Sequence, residues 1–239
     1  TNIGKSIFLG NIASNMAEDG KNVLLVTLEM SELLYARRLC SNVTKIPMKE
    51  LADNTPSIKQ AMNDQGGKIF IKEFPPATIT ANQLKAFIKK FEEQGIKIDA
   101  IVLDYLNLMH STLGNNSYER IKHVTEQVRA MSYLFNCPII SATQLNRAGF
   151  DTDNPDLATI SESIGLAATA DAIISIFQNE EDRGIGIIRL GMMKNRYGPR
   201  GITQAMRIDY STLTIEQADD IEVDEGMDDT LNMLAGLAT

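Results

Sequence analysis

The chain has 239 residues, 44% of them hydrophobic, and carries 23 Lys and Arg against 31 Asp and Glu, for a formal net charge of −8. That length and apolar content can bury one large α/β core, and two Cys with two His argue against a zinc cluster, a disulfide framework or a histidine-rich metal site. Mg²⁺ is the metal this composition supports, and with no membrane-length apolar run and no visible signal peptide the chain reads as cytoplasmic.

The charge is unevenly spread. Residues 215–239 hold eight acids and no Lys or Arg, so the rest of the chain is balanced at 23 of each sign. The sequence therefore predicts two parts: a folded body over 1–215 and an acidic tail over 216–239. The tail is expected to be solvated and disordered or to dock on a partner, since its last apolar stretch, L-N-M-L-A-G-L, offers a face to bind.

In chain order, residues 1–6 (T-N-I-G-K-S) form the second half of a G-x-x-x-x-G-K-[ST] phosphate loop, and the apolar run 7–16 behind them predicts a helix. Gly4 leaves room for backbone N–H groups to wrap phosphates, Lys5 can reach β and γ oxygens, and the Ser6 hydroxyl can ligate Mg²⁺. Asn2 and Ile7 flank this cradle and complete the expected nucleotide contacts. The first Gly of the pattern would precede residue 1, so the chain reads as a piece of something longer that begins inside the loop.

Gly20 stops the first helix, and residues 22–28 (N-V-L-L-V-T-L) read as a buried strand. Ser31 caps a helix to about Val43, with Glu32 in its first turn. Short helices and loop fill 47–67, a strand 68–72, and Thr80-Ala81-Asn82-Gln83 supplies a capping box for a helix ending at Gly95. Residues 99–106 form the next strand, 117–135 a long amphipathic helix, and 138–143 and 172–177 two further strands. Such alternation predicts an α/β fold with a mostly parallel central sheet flanked by helices. Beyond residue 185 the pattern changes: 185–193 and 204–210 alternate in polarity and are joined by Gly and Pro, so antiparallel edge strands are expected on the C-terminal side.

Open parallel sheets bind ligands beyond the carboxyl ends of their strands. Four strands deliver polar residues there: Glu29, Asp104, Gln144, and the run Lys194-Asn195-Arg196. Asp104 follows four apolar residues, as a Mg²⁺-organising acid does in a phosphate-loop enzyme; the alternative is a strand-end Asp satisfied by local N–H groups. Glu29 suits activation of an attacking water, or simply favours the start of the helix capped by Ser31. Gln144 can report a γ-phosphate or be an ordinary polar strand end. Lys194 and Arg196 adjoin the cation-dense turn Tyr197-Gly198-Pro199-Arg200-Gly201, which is either a solvated corner or an arginine finger able to reach a neighbouring subunit's nucleotide.

Five ordered motifs carry a resemblance: G-K-S, T-L-E-M (27–30), L-D-Y-L-N-L-M (103–109), A-T-Q-L-N-R (142–147) and K-N-R-Y-G-P-R-G (194–201). Over residues 1–215 the chain resembles the RecA-like motor domain of DnaB-type hexameric replicative helicases, and its x-N-x-G-K-S loop is similar to that of the T-even phage branch. The resemblance implies a RecA-like core in a homo-hexameric ring, with ATP, or GTP in its place, and Mg²⁺ bound between neighbours. Hydrolysis would drive movement on single-stranded DNA in the cytoplasm, that of a host cell if the chain is phage-encoded. Primase, a helicase loader and single-strand-binding protein are the partners it implies, and no membrane. By position, Lys5 and Ser6 hold phosphate and metal, Glu29 is the catalytic base, Asp104 orders the metal, and Gln144 senses the γ-phosphate. Lys194 and Arg196 act in trans, and Arg38, next to Arg37, falls where the family places a base-stacking arginine.

One segment departs from the family. The DNA-contacting D-L-R-E-S-G loop corresponds here to Ser161-Glu162-Ser163-Ile164-Gly165, so an Arg has become Ser161 and a Gly Ile164. Between Asn146 and Ala170 the only cation is Arg147, against Asp151, Asp153, Asp156 and Glu162. DNA contact through Arg147, Glu162, Ser163 and Gly165 is therefore expected to rely on backbone N–H groups, with a shallow salt dependence. A recombinase-like DNA-dependent ATPase and a non-catalytic nucleotide-dependent assembly platform are the competing readings; the intact set Glu29, Asp104 and Arg196 argues against the second.

Overall fold

A computed structural model describes residues 4–114, 116–143 and 164–218. Its first half is a four-stranded parallel sheet in the order β2-β1-β3-β4, built from β1 (Val23–Thr27), β2 (Ile69–Glu73), β3 (Ala100–Asp104) and β4 (Ile139–Ser141). Strands β1 and β3 are buried at every position because helices cover both faces, which is why they read as unbroken apolar runs.

The two faces divide by residue parity, as the pleat requires. Val23, Leu25 and Val102 pack with Leu9 and Ala13 of α1 (Lys5–Glu18) and with Tyr35 and Leu39 of α2 (Glu32–Thr44). Leu24, Val26, Ile101 and Leu103 face the other way, onto α4 (Ala81–Glu93) and α5 (Ser117–Phe135), where Leu84, Ile88, Val124 and Val128 meet them. A 3₁₀ turn and α3 (Thr55–Asp64) fill the segment before β2.

The helix ends form where the sequence places them. Ser31 Oγ accepts from Leu34 N–H, and the Thr80/Gln83 box is complete in both directions. Gly95, at φ 72°, then closes α4 in a left-handed conformation that a side chain would resist.

Strands β5 (Ala172–Phe177), β6 (Ile187–Asn195), β7 (Thr203–Asp209) and β8 (Thr214–Gln217) form an antiparallel sheet in sequence order. The expected antiparallel strands are thus present on the C-terminal side, hydrogen-bonded to one another rather than to the parallel sheet among the described residues. A short helix α7 (Glu180–Gly184) links β5 to β6, and α6 (Ile164–Thr169) precedes β5. Strand β8 carries the sheet past residue 215, and Glu216 pairs with Lys45 at 2.9 Å.

A buried amide network ties this sheet to the phosphate-loop helix. Asn11 of α1 donates to the Leu213 carbonyl at 2.9 Å and accepts from Ile215 N–H at 3.0 Å. Asn42 of α2 donates both to Asn11 Oδ1 and to the Leu213 carbonyl, each at 2.9 Å. These bonds fix the start of β8 against α1 and α2, the helices that carry Lys5, Ser6 and Arg38.

Candidate nucleotide site and trans-acting edge

Gly4 is the N-cap of α1 at φ 97°, ψ 20°, a left-handed conformation suited to glycine, and its carbonyl accepts the first helical bond from Phe8 N–H at 2.8 Å. A Cβ at Gly4 would lie 3.4 Å from Ile208 Cδ1 and 4.0 Å from Ile7. Residues Lys5, Ser6 and Ile7 form the first turn, whose N–H groups have no carbonyl four residues back within the helix and lie at its positive end.

Opposite that turn stands the carboxyl edge of the parallel sheet. Thr27 and Asp104 are register partners on β1 and β3, and Leu28 N–H donates to the Asp104 carbonyl at 2.7 Å, so the two strands end together. Beyond them Thr27 Oγ1 donates to the Met30 carbonyl and accepts Met30 N–H, closing a tight turn with the exposed Glu29 at its outer position.

Asp104 is 1% exposed, and both of its carboxylate oxygens are buried without a hydrogen-bond partner. Lys5 Nζ is in the same state, and sits 4.8 Å from the Tyr105 ring centre. Burial pushes the Asp104 carboxyl up from its ordinary range; the Ser6 and Tyr35 hydroxyls, neither completing a hydrogen bond to it, and Lys5 oppose the rise, while Glu29 adds to it. Burial pulls the Lys5 ammonium down, and the charges of Glu29 and Asp104 partly restore it. Tyr35 donates to the Ser6 carbonyl at 3.2 Å, and burial and then the nearby Asp104 raise its phenol well above the usual value.

A buried ammonium and a buried carboxylate, both left unpaired, are costly unless something completes them. Phosphate oxygens on Lys5 and a hydrated Mg²⁺ between Ser6 and Asp104 would do so, and oxygen donors are what that ion selects. The residues present therefore fit a Mg²⁺–nucleotide.

Arg38 and Arg37 separate in space. Arg37 points to the Met48 carbonyl at 3.5 Å, whereas the charge of Arg38 reaches Tyr35. Asn2, Gln144, Arg147, Glu162 and Ser163 lie outside the described residues. Gly165 is buried in α6, where a Cβ would meet Cβ and Cγ of Lys122 at 3.2 Å; this close approach of α5 accounts for the glycine without DNA.

The trans-acting candidates sit at the far end of β6. Lys194 donates to the Ala167 and Ala168 carbonyls of α6 at 2.7 and 3.2 Å, and burial, then the charge of Arg196, lowers its pKa. Arg196 pairs with Asp171 at 2.7 Å, and its backbone N–H donates to the Asp171 carbonyl at 2.8 Å. The same Asp171 oxygen takes Arg129 of α5 at 2.9 Å, and Arg129 also reaches the Thr169 carbonyl. Tyr35, Tyr105, Asp171 and Arg129 were not singled out from the sequence. Tyr105 had a signal, being the residue after Asp104; Arg129 and Asp171 are 42 positions apart and had none.

Comparisons with known proteins agree with this geometry. The sequence profile of the DnaB-like helicase C-terminal domain matches residues 1–214. The DnaB-like replicative helicase of Enterobacteria phage T4 is 25% identical over 212 residues, which is 83% of this chain and 45% of that protein. A probable replicative DNA helicase of Trieres chinensis is 28% identical over 84% of this chain and 48% of its own length. The chain thus spans about half the length of the curated relatives it matches. In fold, a solved ATPase domain superposes with a TM-score of 0.79 at 20% identity, over 91% of this chain and 82% of that one. A DnaB-like replicative helicase described with its interactions with primase gives the same TM-score at 19% identity, covering 91% of this chain and 55% of its own.

Proposed function

Because the chain belongs to the DnaB-like helicase C-terminal domain family, we propose that it is the ATP-hydrolysing motor of a hexameric replicative helicase that moves on single-stranded DNA and unwinds duplex. The observation that carries this reading is the pair of unpartnered buried groups, Lys5 Nζ and the Asp104 carboxylate, close enough to feel one another's charge beside Glu29.

In this reading the α1 first turn and Lys5 grip the β and γ phosphates of ATP, with GTP as the alternative fuel. Mg²⁺ held by Ser6 and, through water, by Asp104 would neutralise charge on those phosphates. Glu29 takes a proton from a water whose oxygen bonds to the γ-phosphorus, while the bond to the bridging oxygen breaks and ADP departs. Gln144 senses the γ-phosphate, and Arg38, whose charge reaches Tyr35, stacks on the base. Lys194 and Arg196 belong to the neighbouring subunit's nucleotide, where they stabilise charge in the transition state. Arg147, Glu162 and Ser163 contact DNA, with Gly165 serving the packing of α6 on α5 instead, and primase, loader and single-strand-binding protein meet the assembled ring at a fork.

The test is ATPase rate with and without single-stranded DNA, together with assembly stoichiometry in the presence of nucleotide. Stimulation by DNA and a six-fold particle are expected. Glu29→Gln should lower turnover by about 10²- to 10⁴-fold, the range of general-base catalysis, while nucleotide still binds. A dilute monomer that hydrolyses ATP at full rate would overturn the reading.

A further inference from the structure

We infer that Asp171 is a positioning residue for Arg196, and that Arg129 braces Asp171 in turn. This rests on the reading of Arg196 as a group that acts on the neighbouring subunit's nucleotide.

The finger is held at two points by one residue. Asp171 accepts the Arg196 backbone N–H through its carbonyl and the guanidinium through its carboxylate, at 2.8 and 2.7 Å. A guanidinium has five N–H donors in a flat fork, so engaging the Nη1 end leaves other donors free for a phosphate. The carboxylate thus sets the plane and direction of the fork without using it up.

Asp171 is itself fixed from behind. Arg129, on the long helix α5, donates to the same Asp171 oxygen at 2.9 Å and to the Thr169 carbonyl two residues earlier. The Arg129 Nη2 also donates to the Tyr133 hydroxyl at 3.2 Å, one turn on along α5, and the group lies 5.7 Å from that ring centre. Lys194 fastens β6 to α6 through the Ala167 and Ala168 carbonyls. Among the described residues the three cations Arg129, Lys194 and Arg196 gather on one carboxylate, that of Asp171, and this group of four carries a positive excess for an incoming anion.

Phosphoryl transfer is sensitive to where such a cation stands, because its contribution is positional and electrostatic rather than covalent. Asp171→Asn keeps the shape and removes the charge that orients the fork. Full-length protein carrying it, saturated with single-stranded DNA, should lose about 10- to 100-fold in kcat, as a misplaced catalytic group does, with KM for ATP unchanged. Arg129→Lys, which keeps charge but loses the fork, should lower kcat in the same direction by less. The deciding measurement is the double variant Asp171→Asn with Arg196→Ala, expected to be no slower than Arg196→Ala alone.

A loss that adds to that of Arg196→Ala, or a raised KM for ATP, would mark a general structural role and overturn the inference. So would an Asp171→Asn protein at full rate while Arg196→Ala is crippled; the trans reading would survive that result. If Arg196→Ala itself keeps its turnover, the trans reading falls and takes this inference with it.

Discussion

At the carboxyl edge of the parallel sheet, Lys5 and Asp104 are buried with no hydrogen-bond partner, whereas at the end of the antiparallel sheet Lys194 and Arg196 both donate to their own chain. The first site is shaped by what it lacks. Its charges were taken from water and left incomplete, which favours binding of a ligand that completes them. The second is internally satisfied and half open to solvent, with the Arg196 and Asp171 side chains 39% and 45% exposed. Such a group can be presented to a neighbour without being costly when the neighbour is absent. In the proposed reading, one fold carries both a receptor whose ligand relieves it and a projecting cation held ready for use on a neighbour.

The sharpest way to break this contrast is Arg196→Ala. An arginine finger contributes about 10³- to 10⁵-fold in kcat, so all-variant rings should be nearly inactive. In rings mixed with unaltered subunits, activity should fall in step with the number of interfaces that receive the variant finger. Steady-state ATPase against mixing ratio reads this out, and mixed rings that lose nothing would return the turn at 197–201 to the status of a solvated corner.

The same contrast predicts opposite signs for two carboxylates. Asp182 is 3% exposed and holds Arg189 with a fork of bonds at 2.9 and 3.0 Å, which raises that guanidinium's pKa. Asp182→Ala strands the arginine and should destabilise the fold by about 1.5–3 kcal/mol, the worth of hydrogen bonds to a charged group. Asp104→Asn removes a buried charge whose oxygens complete no hydrogen bond, at the loss of its attraction to Lys5, and should still stabilise the ligand-free protein, by at most about 1–3 kcal/mol near neutral pH, while abolishing Mg²⁺-dependent turnover.

The pH dependence of the second effect has a definite direction. Burial raises the folded-state pKa of Asp104 above 3.8. The folded protein then holds a proton that the unfolded chain releases, so this group's contribution is fully present below 3.8 and lost as pH climbs through the raised value. Urea unfolding of both proteins should therefore show no advantage for Asp104→Asn in strong acid and a growing one across that interval. An asparagine variant less stable at neutral pH would mean that Asp104 is satisfied in the free protein.

Much of this architecture was legible in the residues because burial leaves a plain signal. Helix α5 at 117–135 and strand β5 at 172–177 fall where periodicity placed them. The apolar runs at 22–28 and 99–106 predicted strands of a parallel sheet; that they are neighbours, with a register bringing Glu29 and Asp104 to one edge, is a finding of the structure. Strand β8 was not legible, since T-I-E-Q is too short to show a period and is held chiefly by Asn11 and Asn42 from far away in sequence. The bracing of Arg196 was hidden for a similar reason: an ion pair between α5, the start of β5 and the end of β6 has no spacing rule. Sequence marks which residues carry chemistry more readily than which residues hold them in place.

The smallest expected effect concerns DNA, and it sharpens the difference between a site rich in side-chain cations and one without them. In the segment 146–170 Arg147 is the single cation; among the described residues that meet the segment from elsewhere, Arg129 and Lys194 are engaged by the Thr169, Ala167 and Ala168 carbonyls, whereas Lys122 packs its stem on Gly165. Each phosphate neutralised on a single strand contributes about −0.7 to the slope of log affinity against log salt. Two such contacts give about −1.4 per protomer, against several times that for a basic groove. Fluorescence anisotropy of a labelled oligonucleotide across a salt series measures the slope directly, and Lys122→Ala should reduce it by roughly half if backbone N–H groups carry the remaining contacts. A steep slope that Lys122→Ala leaves untouched would place the DNA path on another part of the surface, with the cations of the antiparallel edge as the first to be examined.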